Sequence, residues 1–152
     1  MKKYLFALFL IFACLGVYAQ SVSFGDLLNL TSMNDGQSHD LLASSKGFKA
    51  SGAQTLNGRA YAEYKSAKGE SVLVGAGIKS TSGNVTHEII YNTNLEADIN
   101  NMLAQAKKST LTLVFQGADL AANIYRFDNS LFRASISLAF DKKSGNVDVQ
   151  QK

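Results

Sequence analysis

Residues 59–92, RAYAEYKSAKGESVLVGAGIKSTSGNVTHEIIYN, alternate in character from one position to the next, and that period of two decides the fold. Ala60, Ala62 and Tyr64 take one side, and Arg59, Tyr61, Glu63 and Lys65 the other. A turn at Ala67-Lys68-Gly69 follows, and then Val72, Val74, Ala76 and Ile78 line up opposite Ser71, Leu73, Gly75, Gly77 and Lys79. Ser82-Gly83-Asn84 predicts the next reversal, because glycine and asparagine accept the left-handed backbone that tight hairpins need. Val85, His87, Ile89 and Tyr91 then face away from Thr86, Glu88, Ile90 and Asn92. The stretch predicts a meander of antiparallel strands.

The period is helical on either side of this block. Ser23-Phe24-Gly25-Asp26 predicts a capped helix start leading into Leu27, Leu28 and Leu30. Asn34-Asp35-Gly36 predicts a turn, Ser38 caps a second helix carrying Leu41, Leu42 and Ala43, and Gly47 ends it. Thr93-Asn94-Leu95-Glu96 has the T-x-x-E spacing of a capping box. It opens a helix whose Leu95, Ile99, Met102, Leu103 and Ala106 share one stripe. Lys107 and Lys108 suit the negative end of that helix. Strands then resume: Leu111, Leu113 and Phe115 on one side, Asp119 to Phe127 next, then Phe132, Ala134, Ile136, Leu138 and Phe140. Lys143-Ser144-Gly145-Asn146 turns into a last strand with Val147 and Val149.

Helices segregated from strands predict an α+β fold, with about seven or eight antiparallel strands and two or three helices on one face. The two halves are similar. At a constant offset of 61, Leu42-Ala43 falls on Leu103-Ala104, Lys46 on Lys107, Ala60 on Ala121, and Tyr64-Lys65 on Tyr125-Arg126. The expected organisation is a signal peptide at 1–19 and a single α+β domain at 20–152, with repeat units 23–92 and 93–150. There is no proline in the chain, against roughly eight at average usage, so no stiff linker divides that domain.

MKKYLFALFLIFACLGVYA, residues 1–19, has the grammar of an export signal. Lys2 and Lys3 precede an uncharged apolar run, and Val17-Tyr18-Ala19 precedes a cleavage point before Gln20. Export to the periplasm, cell surface or exterior is the expectation. The alternative is a lipoprotein acylated at Cys14, but apolar sequence continues past that cysteine to Ala19, where a lipoprotein normally turns polar. No comparable apolar run follows, so no transmembrane segment is expected after the leader. The leader holds two of the charges behind the net +3, which leaves residues 20–152 near neutral at +1. A phosphate-tracking surface needs clustered basic charge, so no nucleic-acid partner is expected.

No motif supplies obvious chemistry. His39 and His87 lack the spacing of paired metal ligands, and the only cysteine, Cys14, lies in the leader, so neither metal nor cofactor is expected. There is no G-x-S-x-G elbow for a serine nucleophile. Glu63, Glu70 and Glu88 read as solvated charge on outward strand positions near hairpins. Gly75-Ala76-Gly77 lies within a strand, which predicts close packing or a bulge and not a phosphate cradle. Arg59 and Tyr61 form the best interface candidate, an aromatic flanked by arginine on an outward row. His87 and Tyr91 are the candidates for an alternative pocket between helix and sheet.

Ala19-Gln20, Leu41-Leu42, Lys46-Gly47-Phe48 and Tyr64, followed by a second similar half, resemble a group of small exported proteins of Gram-negative bacteria with no known function. In element order alone, the paired helix-plus-sheet units are similar to the tandem architecture of the β-lactamase inhibitor protein. The cysteine bridges of that family are missing here, so its inhibitory function is not carried over. The expected function is therefore an exported, non-enzymatic module that binds a protein, peptide or envelope component. The alternative is a small-ligand carrier or hydrolase with a pocket near His87.

Overall fold

The computed structural model describes residues 22–79, 83–141 and 143–152. The leader with Cys14, and Ser82 of the predicted turn, lie outside the described residues. The expected α+β class holds: one eight-stranded antiparallel sheet carries three helices.

Helix α1 (Phe24–Leu30) starts at the Ser23 cap that the sequence predicts, and Asp26 closes it into a capping box. Ser23 Oγ accepts from the Asp26 amide at 3.1 Å, and the Ser23 amide donates to Asp26 Oδ2 at 2.8 Å. Phe24, Leu27 and Leu30 form its buried side. Helix α2 (Asp35–His39) begins four residues earlier than expected. Asn34 is its cap and Gln37 completes a second box, so Asn34-Asp35-Gly36 starts a helix where a turn was predicted. Ser38 consequently sits inside the helix and is buried, and does not cap it. The chain continues through a wider turn, Asp40–Ser45, in which the Lys46 amide donates to the Leu41 carbonyl. Gly47, at φ +74, ends it as expected. Helix α3 (Glu96–Lys108) has Leu95, not Thr93, at its cap position. Thr93 is still held in the sheet opposite Gly145, so its hydroxyl serves the Leu95 amide and Asp98 instead of opening the helix.

The strands are β1 (Lys49–Leu56), β2 (Arg59–Lys65), β3 (Ser71–Gly75), β4 (Ile78–Lys79), β5 (Val85–Thr86), β6 (Glu88–Thr93), β7 (Thr112–Ala118), β8 (Ala122–Asp128), β9 (Phe132–Ala139) and β10 (Gly145–Gln151). The sheet order is β1-β2-β3-β6-β10-β9-β8-β7, while β4 and β5 pair separately as a small ribbon between β3 and β6. Two four-stranded meanders thus join where β6 and β10, the last strand of each, pair antiparallel at the centre. Each meander opens with an edge strand that carries a register shift, between Ala50 and Gly52 in β1 and between Leu113 and Phe115 in β7.

α1 and α3 pack on β6 and β10 in the middle of the sheet, with α3 also on β9 and α2 with its wide turn beside β1. Leu27, Leu30, Leu42, Ile99, Met102 and Ala106 bury against Val72, Ile89, Val147, Val149, Ala134 and Ile136. Burying each large aliphatic side chain stabilises the fold by about 1.5–3 kcal/mol, which makes this interleaved layer the chief source of stability. Among the described residues, no helix packs on the opposite face of the sheet.

Candidate functional site

The helix-free face is where the sequence-predicted residues come together. Its cross-strand register runs Glu63, Leu73, Ile90, Asp148, Ser135, Arg126 and Phe115 from β2 to β7. Beside this row lie Tyr61 opposite Gly75, and Glu88 opposite Gln150. Gly75 allows the aromatic to lie flat. A Cβ there would stand 3.1 Å from Tyr61 Cε1 and 3.1 Å from the Glu88 carbonyl oxygen. Close packing accounts equally for Gly77, where a Cβ would fall 2.4 Å from Val85 Cγ1.

Arg59 and Tyr61 both converge on Glu88. The Tyr61 hydroxyl donates to Glu88 Oε2 at 2.5 Å, the Arg59 guanidinium donates to the same oxygen, and Gln150 Nε2 donates to Oε1 at 2.5 Å. Tyr61 is on the outward row as predicted but only 4% exposed, because neighbouring side chains and the Gly75 backbone enclose its ring. It is a covered, hydrogen-bonded residue, not a projecting anchor. Glu88, predicted as solvated charge, is a shared acceptor for donors from two other strands.

The electrostatics separate two carboxylates on this face. Burial pushes the Glu88 carboxyl up, but Tyr61, Gln150 and Arg59 outweigh it and hold the group below its ordinary range. Asp148 moves the other way. Burial, followed by the charge of Glu88, pushes it up to about 6, with Arg59 opposing. Asp148 Oδ1 is shut off from solvent and accepts no hydrogen bond. The Tyr61 phenol is pushed up to about 12, first by burial and then by the Glu88 carboxylate.

His87 and Tyr91 lie on the other face and do not meet in one pocket. His87 Nδ1 donates to the Gly75 carbonyl at 2.7 Å, and the His87 amide donates to Thr31 at the end of α1 at 2.7 Å. Its Nε2 is enclosed without a partner. The hollow touching His87 measures about 50 Å³, far below the usual range for a substrate pocket. Tyr91 belongs to a separate buried cluster, where its hydroxyl donates to Glu70 Oε1 at 2.9 Å and Ser66 Oγ donates to Glu70 Oε2 at 2.7 Å. Glu70, read from sequence as solvated, is 1% exposed, because strand β3 starts beneath the α3 end of the sheet and draws it inward. Burial, and next the Glu70 charge, raises Asp98 in the same cluster.

A second hollow of about 210 Å³ lies between α2 and the β1–β2 hairpin, lined by Ser38, Ala53, Ala60, Ala62, Tyr64 and Val74. Among the described residues, no group of three His, Cys, Asp or Glu side chains has metal-holding geometry, and no helix is long and apolar enough to cross a membrane.

Asp148 and Gln150 are the residues that sequence reading missed. Their outward placement was available, since both alternate with the buried Val147 and Val149. Their neighbours were not, because only the strand order puts β10 beside β6. No protein-family model matches the chain, and neither a curated protein nor a solved structure shows significant similarity to it.

Proposed function

We propose that this protein is an exported, non-enzymatic binding module that engages a protein, peptide or envelope component through the helix-free face of its sheet. One observation carries the reading. Glu88 draws Arg59, Tyr61 and Gln150, from two other strands, into one fixed polar cluster on a face that none of the described helices covers. Residues held by packing and shared hydrogen bonds lose little freedom on binding, which favours recognition. The export half of the proposal rests on the leader at 1–19 and its cleavage point after Ala19, with acylation at Cys14 as the competing outcome. Duplication of units 23–92 and 93–150 is part of the same proposal. It is supported by the matches at offset 61 and by a register shift in the first strand of each meander.

Capture from envelope extract, with one surface altered at a time, tests the binding face. Ser137→Arg places a long charge on the helix-free face, while Lys108→Glu alters the end of α3 on the other side. The expected result is that Ser137→Arg loses the captured component and Lys108→Glu keeps it. Equal capture by both would place recognition elsewhere.

A further inference from the structure

We propose that β7 is a self-association edge: it pairs antiparallel with the β7 of a second copy about a two-fold axis and joins two eight-stranded sheets into one. This contact is separate from whatever the helix-free face binds.

β7 ends the sheet order, so among the described residues no strand lies along its outer side. Its sequence, TLVFQGA, has neither charge nor proline, and Leu113, Val114 and Phe115 form an unbroken run of exposed large apolar side chains. A free strand edge of that composition is a template for another strand. The opposite edge differs. β1 brings the charge of Lys49, and its exposed positions Ala50, Ser51, Ala53 and Thr55 are small or polar.

A second copy fits this edge better than a foreign strand, because the edge is complementary to itself. In a two-fold antiparallel pair with the same sheet face shared, one residue lies opposite its own copy, and residues equally spaced to either side of it face each other. The register shift between Leu113 and Phe115 leaves Phe115 to Ala118 as the stretch in regular step with β8. Centring the axis on Gln116 sets Phe115 of each copy opposite Gly117 of the other. The Phe115 ring already leans along its strand over Gly117, where a Cβ would fall 2.6 Å from Phe115 Cζ. Both rings therefore lean toward the axis, and neither meets a side chain at the position opposite it. An aromatic over an edge glycine is a recognised way to stabilise a strand pair. The two Gln116 amides meet on the other face, where each can donate to and accept from its copy. No like charges are brought together along the strand.

An axis of this kind stands perpendicular to the sheet and keeps the helices of both copies on one side. The fold makes the same join internally, since β6 and β10 pair antiparallel while α1 and α3 pack on the same face of both. The helix-free faces of the two copies then lie side by side as one surface. A short strand pair buries little area, so the association belongs to the weak, reversible class.

Sedimentation equilibrium from micromolar to millimolar concentration tests this, together with single cysteines in a Cys14→Ser background, which has no other thiol. The mass is expected to rise toward two copies. Gln116→Cys is expected to give a covalent dimer on mild oxidation or with a short bismaleimide, while Ala53→Cys on β1 does not. Phe115→Lys weakens the association about tenfold or more, with its circular dichroism spectrum unchanged. A single-copy mass at every concentration overturns the proposal, and capture of an extended foreign peptide along β7 by that monomer would assign the edge to a different strand. A dimer that Gln116→Cys fails to cross-link overturns it too, and linkage through Ala53→Cys would move the contact to β1.

Discussion

Asp148 is a residue whose fold-imposed cost has a measurable sign. Burial and the charge of Glu88 raise its carboxyl to about 6, so the native state holds that proton more tightly than the unfolded chain does. The penalty is absent below about pH 4, grows as pH rises, and is complete above about pH 6. Asp148→Asn is therefore expected to stabilise the protein near neutral pH by about 1 kcal/mol after discounting for solvent screening, with the gain vanishing near pH 4. Urea denaturation across that range checks it, and a gain that persisted at pH 4 would show that the charge is not the cause. A residue that costs stability yet occupies the centre of an open face is the pattern expected of a functional site. Tyr61 carries the opposite lesson. Its outward side was legible in the alternation with Ala60 and Ala62, but its enclosure depends on Gly75 and Glu88, which reach it only through strand pairing.

Among the elements, those governed by neighbours in sequence were the most legible. The Ser23 cap and the Gly47 stop are local chemistry and formed as their spacing predicts, with Asp26 closing the cap into a box. Asn34 also formed a box, with Gln37, because N-x-x-Q satisfies two orphan amides where a turn would satisfy fewer. β7 shows where periodicity runs out. Leu113 and Phe115 are two apart and read as one face, yet the register shift between them leaves Leu113 opposite Phe127 and Phe115 opposite Arg126, on different faces. A single extra residue inverts the alternation, and no side-chain pattern announces it. Where β10 begins under α3, a Cβ on Gly145 would stand 2.5 Å from Ile99 Cγ1 and 2.7 Å from the Ser137 carbonyl oxygen. Gly145→Ala is accordingly expected to cost about 1–3 kcal/mol by forcing the helix off the sheet. An unchanged urea midpoint would mean that α3 can shift freely.

On the scale of the whole molecule, joining two meanders through β6 and β10 solves the edge problem at the centre and leaves it at both ends. β1 carries Lys49, whereas β7 reads TLVFQGA without charge or proline and exposes Val114 at 60% and Phe115 at 45%. Its register shift is the one protection present against pairing with another chain. Val114→Lys should leave the melting temperature within about 2 °C, since the side chain is exposed, and slow association at high concentration several-fold. Static light scattering at matched concentrations reads the difference, and identical traces would show that the shift alone already blocks the edge. The sequence by itself determined the α+β class, the succession of helices, strands, helix and strands, and which side of most strands faces the helices, because periodicity and capping act between residues close in the chain. It did not show that 71–79 and 85–92 each break in two, with β4 and β5 pairing apart. Only the tertiary structure decided that β10 lies beside β6, and with that the meeting of Glu88, Arg59, Tyr61, Gln150 and Asp148. Strand order is set by how two sheet halves bury their apolar faces under shared helices, a non-local energy that no short window of residues records.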